Sequence, residues 1–314
     1  MRILLAGATG AIGHSLTPAL VEAGHTVFGT TRTESHTGAI TAAGASPVLM
    51  DGLDRGSVMT AVAEAKPDVV LHQLTSLKAG MNPKHFDRDF AMTNRLRTEA
   101  TDYLLEASRQ NGVTRFIAQS YAGWPAPRTG PAIADETAGY DPHVGREARA
   151  SLAAIRHVEA AVLAATDLEA IALRYGGFYG PGTGIALDEE SEMLEMVRQR
   201  KFPIVGSGGG LWSFIHAIDA AAATVTAVDN GAPGIYNIVD DEPASAADWL
   251  PVLSRTLGAK PPRHVPTWLA KPLLGEQGVN MMTTVRGASN AKAKRELGWT
   301  LRYPSWRIGF TEGL

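Results

Sequence analysis

Short apolar runs alternate with longer segments of helical spacing over residues 1–239. The runs are apolar on both faces, which predicts strands buried in a parallel sheet. The stretch 57–66 between two runs places Val58 and Val62 on one face and predicts a helix. The alternation predicts an α/β fold with a Rossmann-type, doubly wound parallel sheet. The predicted strands cover residues 3–6, 26–29, 47–50, 68–72, 114–118, 168–174 and 234–239.

The composition changes after Gly176. Residues 183–212 hold a helical segment and a glycine run, and residues 240–314 carry Trp, Pro and basic residues. We therefore expect a smaller C-terminal, substrate-binding lobe made of 177–212 and 240–314, beside a nucleotide-binding domain made of 1–176 and 213–239. The segment 121–142 is rich in Gly and Pro, and a loop of this length in a compact domain is usually a binding wall or a lid.

The first apolar run leads directly into Gly7, Gly10 and Gly13. Gly7 permits a tight turn, Gly10 lets a bound group approach the backbone, and Gly13 lets the next helix pack on the strand. The N–H groups of that helix's first turn then face an anion, for which a dinucleotide pyrophosphate is the expected occupant. A strand-turn-helix without a ligand is the alternative. The predicted cradle comprises Gly7, Thr9, Gly10, Ala11, Ile12 and Gly13.

The end of the second strand indicates which dinucleotide binds. Thr31 and Arg32 stand about twenty residues beyond the glycines, where a carboxylate would bind an unmodified ribose. An arginine there favours a 2′-phosphate, so we predict NADP(H) as the preferred cofactor and NAD(H) as the alternative. Arg32 could instead be a solvated surface residue beside Glu34. Further cofactor contacts are expected where strands end, at Asp51, Gly52, Leu53, Leu74, Thr75 and Gly176.

Composition narrows the classes of function. The formal charge of −3 over 314 residues offers no basic field for nucleic acid or an anionic membrane, so we expect neither partner. The chain has no cysteine, which excludes thiolate catalysis, and no His, Asp or Glu cluster has metal-ligand spacing, so we predict no metal. No stretch reaches the ~18 apolar residues of a membrane span, and we expect a cytoplasmic protein.

Several ordered motifs along the chain point to one family. They are GATGAIG at 7–13, YGPG at 179–182, FIHAIDAA at 214–221, YNIVDDEP at 236–243 and SNAKAKRELGWTLRYPSW at 289–306. With these motifs the chain resembles the extended short-chain dehydrogenase/reductase superfamily, the NAD(P)-dependent epimerase/dehydratase group, over nearly its whole length. The resemblance implies a nicotinamide cofactor, a small-molecule substrate and a homodimer formed through the helices at 87–110 and 147–165.

The same resemblance shows what this chain lacks. The family uses a Tyr-x-x-x-Lys pair, in which the Lys lowers the pKa of the Tyr and the Tyr moves the proton. Aligned on Glu159, the helix has Ser151 in the Tyr position and Ile155 in the Lys position. None of the seven tyrosines has a Lys four residues later. The chain therefore looks like an atypical member without the standard acid–base pair.

Candidate residues near the nicotinamide follow from the same alignment. Ser120 matches the family's catalytic Ser or Thr, while Tyr175 and Tyr179 flank the nicotinamide and are candidates for a replacement proton donor. Buried packing is the alternative for both tyrosines. Gly177 replaces an Asn that often holds a sugar, and Trp212 replaces an Arg that often binds a nucleotide diphosphate, so a nucleotide sugar is disfavoured. The predicted substrate contacts are Tyr121, Trp124, Gly177 and Trp212.

These observations predict an NADP(H)-dependent oxidoreductase that acts on a small or apolar carbonyl compound with a nonstandard proton donor. Two other functions stay open: a protein that senses NADP(H) without turnover, and an epimerase or isomerase that uses the cofactor transiently. The missing Tyr and Lys favour the sensor, whereas the aromatic cleft and the C-terminal lobe favour an enzyme.

Overall fold

The structure is a computed structural model that describes residues 1–77, 83–187 and 191–314. Its longer strands follow the apolar runs of the sequence, and its short strands lie mostly in the C-terminal lobe. The strands are β1 (Arg2–Ala6), β2 (Thr26–Thr31), β3 (Ser46–Leu49), β4 (Val69–His72), β5 (Arg115–Tyr121), β6 (Ile133–Ala134), β7 (Glu169–Tyr175), β8 (Gly177–Tyr179), β9 (Ile204–Val205), β10 (Leu211–Trp212), β11 (Phe214–His216), β12 (Gly234–Ile238), β13 (Ala244–Ser245), β14 (His264–Val265) and β15 (Gly287–Ala288).

Seven of these strands form one parallel sheet in the order β12-β7-β5-β4-β1-β2-β3. The order reverses at β1, which has β4 on one side and β2 on the other. At such a reversal a crevice forms outside the carboxyl ends of the strands, and doubly wound folds bind their ligands there. The predicted α/β fold with a Rossmann-type, doubly wound sheet is confirmed.

Helices alternate with the strands of the sheet and continue into the C-terminal lobe. They are α1 (Gly13–Glu22), α2 (Thr37–Ala42), α3 (Arg55–Ala65), α4 (Phe86–Asp89), α5 (Ala91–Arg95), α6 (Thr101–Gln110), α7 (Arg149–Ala164), α8 (Glu192–Arg198), α9 (Ala217–Asp229), α10 (Ala246–Thr256), α11 (Thr267–Thr283), α12 (Ala291–Leu297) and α13 (Trp306–Glu312). Within the described ranges, no helix is long and apolar enough to cross a membrane.

Apolar side chains cover both faces of the sheet. One cluster contains Leu5 and Ile117, and a second cluster contains their neighbours Leu4 and Phe116. Successive residues of a strand point to opposite faces, so a run that is apolar at every position is buried on both sides. This is why the continuous apolar runs of the sequence became the central strands.

A third apolar cluster lies in the C-terminal lobe. It joins Tyr179, Ile204, Trp249, Val279 and Phe310, which are far apart in the sequence. Pairing of β14 with β9 and of β10 with β13 connects the segments that carry them. The lobe thus has an apolar core of its own, while the division at 176, 212 and 239 stays a prediction.

The segment 87–110 differs from the single long helix that its spacing predicts. It contains most of α4, which ends at Asp89, followed by α5, a π-helical turn over Leu96–Ala100 and α6. Phe90, between α4 and α5, has φ and ψ of −91° and 1°. The π-helical turn packs against α7 and buries Leu96 and Arg97. Because π-helical turns are frequent at functional sites, we expect residues of this turn to lie near the functional site.

Candidate functional site

The glycine turn after β1 has the geometry expected of a phosphate cradle. Gly7 has φ of +104°, and a Cβ there would lie 2.8 Å from Gln73 O. A Cβ on Gly13 would lie 2.4 Å from both Gly7 O and Ala8 O. Gly10 N donates to Gly7 O at 3.1 Å, which closes the turn just before α1 begins. Both Gly7 and Gly13 therefore stand where a side chain does not fit, while binding of a dinucleotide by Thr9, Ala11 and Ile12 stays a prediction.

Arg32 follows the end of β2 and is exposed. The ion pairs found in the described part of the chain do not include it, so Glu34 does not neutralise it. Thr31, the last residue of the strand, is buried and its Oγ1 accepts from Thr33 N at 3.3 Å. The guanidinium is thus free to pair with a phosphate beyond the strand.

The remaining predicted cofactor residues lie in loops at the carboxyl edge of the sheet. Asp51 Oδ1 accepts a hydrogen bond from Leu53 N at 3.0 Å, and a Cβ on Gly52 would lie 2.5 Å from Leu74 Cδ1. The loops after β3 and β4 therefore touch each other, and Thr75 follows Leu74 in the second of them. A Cβ on Gly176, which follows β7, would lie 2.6 Å from Ser213 O.

Ser151 and Ile155, in the Tyr and Lys positions, are held by protein contacts. Ser151 Oγ donates to Asp87 Oδ1 at 2.7 Å and accepts from Asn94 Nδ2 at 3.0 Å. Asp87 also accepts from Ser151 N at 2.8 Å, and so caps the start of α7. Ile155 is 1% exposed within an apolar cluster. These two positions supply no acid–base pair.

Ser120 belongs to a buried ion-pair network. Its Oγ donates to Glu159 Oε1 at 2.5 Å. Arg174 donates to the two oxygens of the same carboxylate at 2.7 and 2.6 Å, and Tyr140 OH donates to Oε2 at 2.5 Å. Burial and the charge of Glu159 raise the pKa of Tyr140 to about 12, so the phenol stays protonated. In this arrangement the Ser120 hydroxyl donates to the Glu159 carboxylate, so to polarise a substrate carbonyl it would have to exchange partners, and that role stays a prediction.

Tyr175 and Tyr179, the candidate proton donors, both lie in the protein interior. Tyr175 is fully buried, and its hydroxyl bonds Thr224 Oγ1 at 2.7 Å and accepts from Gln73 Nε2 at 3.2 Å. Tyr179 is also fully buried, with its ring edge-on to Phe214 in the core of the lobe. Desolvation raises the pKa of both phenols. These contacts favour the alternative of buried packing, and a role as proton donor for either residue stays a prediction.

Tyr121 and Trp124 lie where the end of β5 approaches the lobe. Tyr121 is half-buried and lines a cavity together with Arg174 and Ala288. Among the described residues its hydroxyl has no hydrogen-bond partner. The Trp124 ring is 8% exposed and meets the Phe86 ring edge-on at 5.3 Å. Tyr121 is thus open to a ligand and Trp124 is part of the wall; their contact with substrate stays a prediction.

Gly177 and Trp212 lie in the connection between sheet and lobe. Gly177 pairs with Phe214 where β8 and β11 run parallel. Trp212 Nε1 donates to Met281 O at 2.8 Å, and its ring centre lies 5.1 Å from that of Trp249. These contacts make Trp212 a packing residue of the lobe, and a substrate contact for either residue is untested.

Arg97 is a site residue that the sequence did not single out. It is 6% exposed and lies in the π-helical turn. Desolvation lowers its pKa to about 10, opposed by the negative charges that Tyr121 and Glu159 carry when ionised. In the sequence Arg97 stands between Arg95 and Glu99, a pattern typical of an exposed helical face. The irregular turn that directs it inward left no sequence signal.

Among known proteins, the family model described as NAD dependent epimerase/dehydratase family matches residues 3–239 of this chain. A curated relative, the 3-diazoavenalumate denitrifying reductase of Streptomyces sp, is 45% identical over 98% of this chain and 99% of its own length. The match thus spans practically the whole of both proteins.

Solved structures share the fold. The UDP-glucose 4-epimerase of Thermus thermophilus, in complex with NAD, superimposes with a TM-score of 0.74 at 22% identity and covers 99% of this chain and 97% of its own. The human epimerase family protein SDR39U1, with NADPH, gives 0.75 at 19% identity, covering 99% and 98%. These structures show the fold, while the NAD dependent family model supports a nicotinamide cofactor and leaves the choice between NAD(H) and NADP(H) open. The chain belongs to the NAD dependent epimerase/dehydratase family and is an NAD(P)-dependent oxidoreductase-like enzyme.

Proposed function

We propose that this protein is an NADP(H)-dependent reductase that delivers hydride to a small substrate held between the sheet and the C-terminal lobe. The observation that carries the proposal is the absence of the family's Tyr–Lys pair from a fold whose glycine turn has the expected geometry. Ser151 is hydrogen-bonded to Asp87, and Ile155 is buried in an apolar cluster. Such a site favours an acceptor that takes hydride without a proton from the protein.

An arenediazonium ion is an acceptor of this kind. When NADPH supplies hydride, a C–H bond forms at the ring carbon, the C–N bond breaks, and its electron pair leaves on N₂. The cofactor is oxidised, the arene is reduced, and no proton is taken up. The 45% identical relative is named as a denitrifying reductase of a diazo compound, which supports the same class of substrate here.

Reduction of a small carbonyl compound is the second candidate. It needs a proton at the oxygen, and Tyr121 favours it because its hydroxyl lies at the cavity without a hydrogen-bond partner in the described residues. Burial raises the pKa of that phenol and the charge of Arg97 opposes the shift, as the family's lysine does for its tyrosine. If the protein turned over neither diazonium nor carbonyl compounds, the NADP(H)-sensing alternative would be favoured.

The two candidate reactions differ in the source of the hydrogen atoms that are added to the substrate. We expect the protein to oxidise NADPH with 4-carboxybenzenediazonium and to release benzoate, with label from 4R- or 4S-deuterated NADPH on the ring carbon that lost N₂. Formation of that product in D₂O is expected to add no solvent deuterium. A no-enzyme reaction is the control, because diazonium ions are reactive by themselves. Turnover of carbonyl compounds alone, or tight NADPH binding with no turnover of either class, would contradict the diazonium assignment.

The preference for NADP(H) rests on Arg32 and has its own test. Arg32→Ala is expected to weaken NADPH binding about tenfold or more, since a charge-assisted pair with the 2′-phosphate is lost. NADH, which lacks this phosphate, serves as the matched control and should bind equally well to both proteins in calorimetric titration. An unchanged affinity for NADPH would show that Arg32 is a solvated surface residue.

The homodimer and the cytoplasmic location stay predictions.

A further inference from the structure

Within the described ranges, Arg97 is a buried cation without a counter-ion. Its side chain is 6% exposed, its Nε lacks a hydrogen-bond partner, and none of the ion pairs of the described residues includes it. Arginines that are buried for structural reasons, such as Arg115 and Arg174 in this chain, bind carboxylates or several carbonyls. A guanidinium left unpaired in a desolvated place is costly to stability. An anion from outside the chain would offset this cost.

The nearest buried carboxylate cannot serve as that anion. Glu159 already accepts hydrogen bonds from Arg174, Ser120 and Tyr140. Its charge is neutralised by Arg174, at 2.6 Å from its Oε2. The Glu159–Arg174 pair is therefore neutral as a unit, and Glu159 leaves the positive charge of Arg97 uncompensated.

Tyr121 connects Arg97 to the cavity. The π-helical turn that carries Arg97 packs against α7, the helix that also carries Leu152 and Ile155. In keeping with this placement, the Arg97 charge lowers the pKa of the Tyr121 phenol, against the effect of burial. Tyr121 packs against the apolar cluster that contains Leu152 and Ile155, and it also lines the cavity at the end of β5. The turn that carries Arg97 and the Tyr121 ring thus both pack against α7, which has Ile155 in the position of the family's lysine.

We propose that Arg97 and Tyr121 form an anion-binding subsite that holds a carboxylate of the substrate next to the nicotinamide. The proposal rests on the proposed function, because it takes the cleft to hold a small aromatic substrate. A guanidinium donates in a planar fork that matches a carboxylate, and the Tyr121 hydroxyl adds one further donor. The related reductase acts on a compound that is named as an anion, 3-diazoavenalumate, which fits a cation in this position. The subsite would select anionic over uncharged aromatic substrates.

The test is binding of an unreactive anion to the protein saturated with NADP⁺. Cinnamate is the probe, and cinnamamide is its uncharged counterpart. In calorimetric titration we expect Arg97→Met to weaken cinnamate binding at least about tenfold and to leave cinnamamide unchanged. Arg97→Lys should retain part of the affinity, and Tyr121→Phe should lower it by a smaller factor. Arg149→Met, which removes an exposed cation at the start of α7, is the matched control and should behave as the wild type.

Stability separates a binding role from a structural one. If Arg97 serves a ligand, Arg97→Met should raise the unfolding temperature of the protein without ligands, because a buried unpaired cation is removed. A marked fall in that temperature would overturn the proposal. So would equal binding of cinnamate to wild type and Arg97→Met, or no binding to the wild type up to about 10 mM.

One result distinguishes a substrate anion from a cofactor anion at Arg97. A second result distinguishes failure of the subsite from failure of the proposed reaction. If Arg97→Met weakens NADPH binding and leaves cinnamate binding intact, the anion belongs to the cofactor and the substrate subsite is wrong. Since the titration requires no turnover, Arg97-dependent binding of cinnamate in a protein that reduces neither diazonium nor carbonyl compounds would refute the proposed reaction and uphold the subsite.

Discussion

Replacing Gly13 with alanine is expected to weaken binding of the nicotinamide cofactor by about 100-fold or more. A Cβ at this position would lie 2.4 Å from Gly7 O and Ala8 O. Both atoms belong to the backbone of the cradle and cannot move aside without opening the turn. The start of α1 would shift away from β1, and its N–H groups would lose their alignment with the pyrophosphate. Calorimetric titration with NADPH measures the loss directly.

Gly38→Ala is the matched control for that variant. Gly38 lies in α2, and a Cβ there would meet nothing within 4 Å. It should bind NADPH as the wild type does, and the added helix propensity should leave stability equal or slightly higher. If Gly13→Ala kept the affinity of the wild type, close packing of α1 on β1 would not be what shapes the cradle.

Glu159→Ala is expected to lower the free energy of unfolding by about 3–5 kcal/mol, because it leaves the Arg174 guanidinium buried without its partner. Glu159 is fully buried, Arg174 is 9% exposed, and the two side chains share two hydrogen bonds. The variant also frees the hydroxyls of Ser120 and Tyr140 inside the site. Urea unfolding followed by tryptophan fluorescence measures the loss.

The double variant Glu159→Leu with Arg174→Met tests whether the unpaired charge is the cause. Replacing both partners by apolar side chains of similar size is often neutral, so most of the lost stability should return. If the double variant were as unstable as Glu159→Ala, the hydrogen bonds of Ser120 and Tyr140 would matter more than the arginine. A loss of less than about 1 kcal/mol in Glu159→Ala would show that water compensates the guanidinium.

The cradle and the sheet could be predicted because their causes are local. A run such as Ile3–Ala6 is apolar at each position, and only a strand buried on both faces accommodates it. The glycines at 7 and 13 stand where the turn geometry leaves no room for a Cβ. The absence of the Tyr–Lys pair is also a property of sequence positions, and the contacts of Ser151 and Ile155 agree with it.

The choice among Ser120, Tyr121, Tyr175 and Tyr179 could not be made that way. All four stand near strand ends, and whether each hydroxyl finds a partner depends on distant segments. Ser120 bonds Glu159 on α7, and Tyr175 bonds Thr224 on α9. Which phenol remains free depends on how those helices pack on the sheet.

The sequence by itself therefore determined the doubly wound fold, the tight glycine turn after β1, and the loss of the usual acid–base pair. Only the tertiary structure decided that Tyr121 is the open phenol and that Arg97 points inward. The physical reason is the distance along the chain over which each interaction acts. Backbone conformation and strand burial are set by residues that are close in sequence. The partner of a buried polar group is set by long-range packing, here by a π-helical turn against α7.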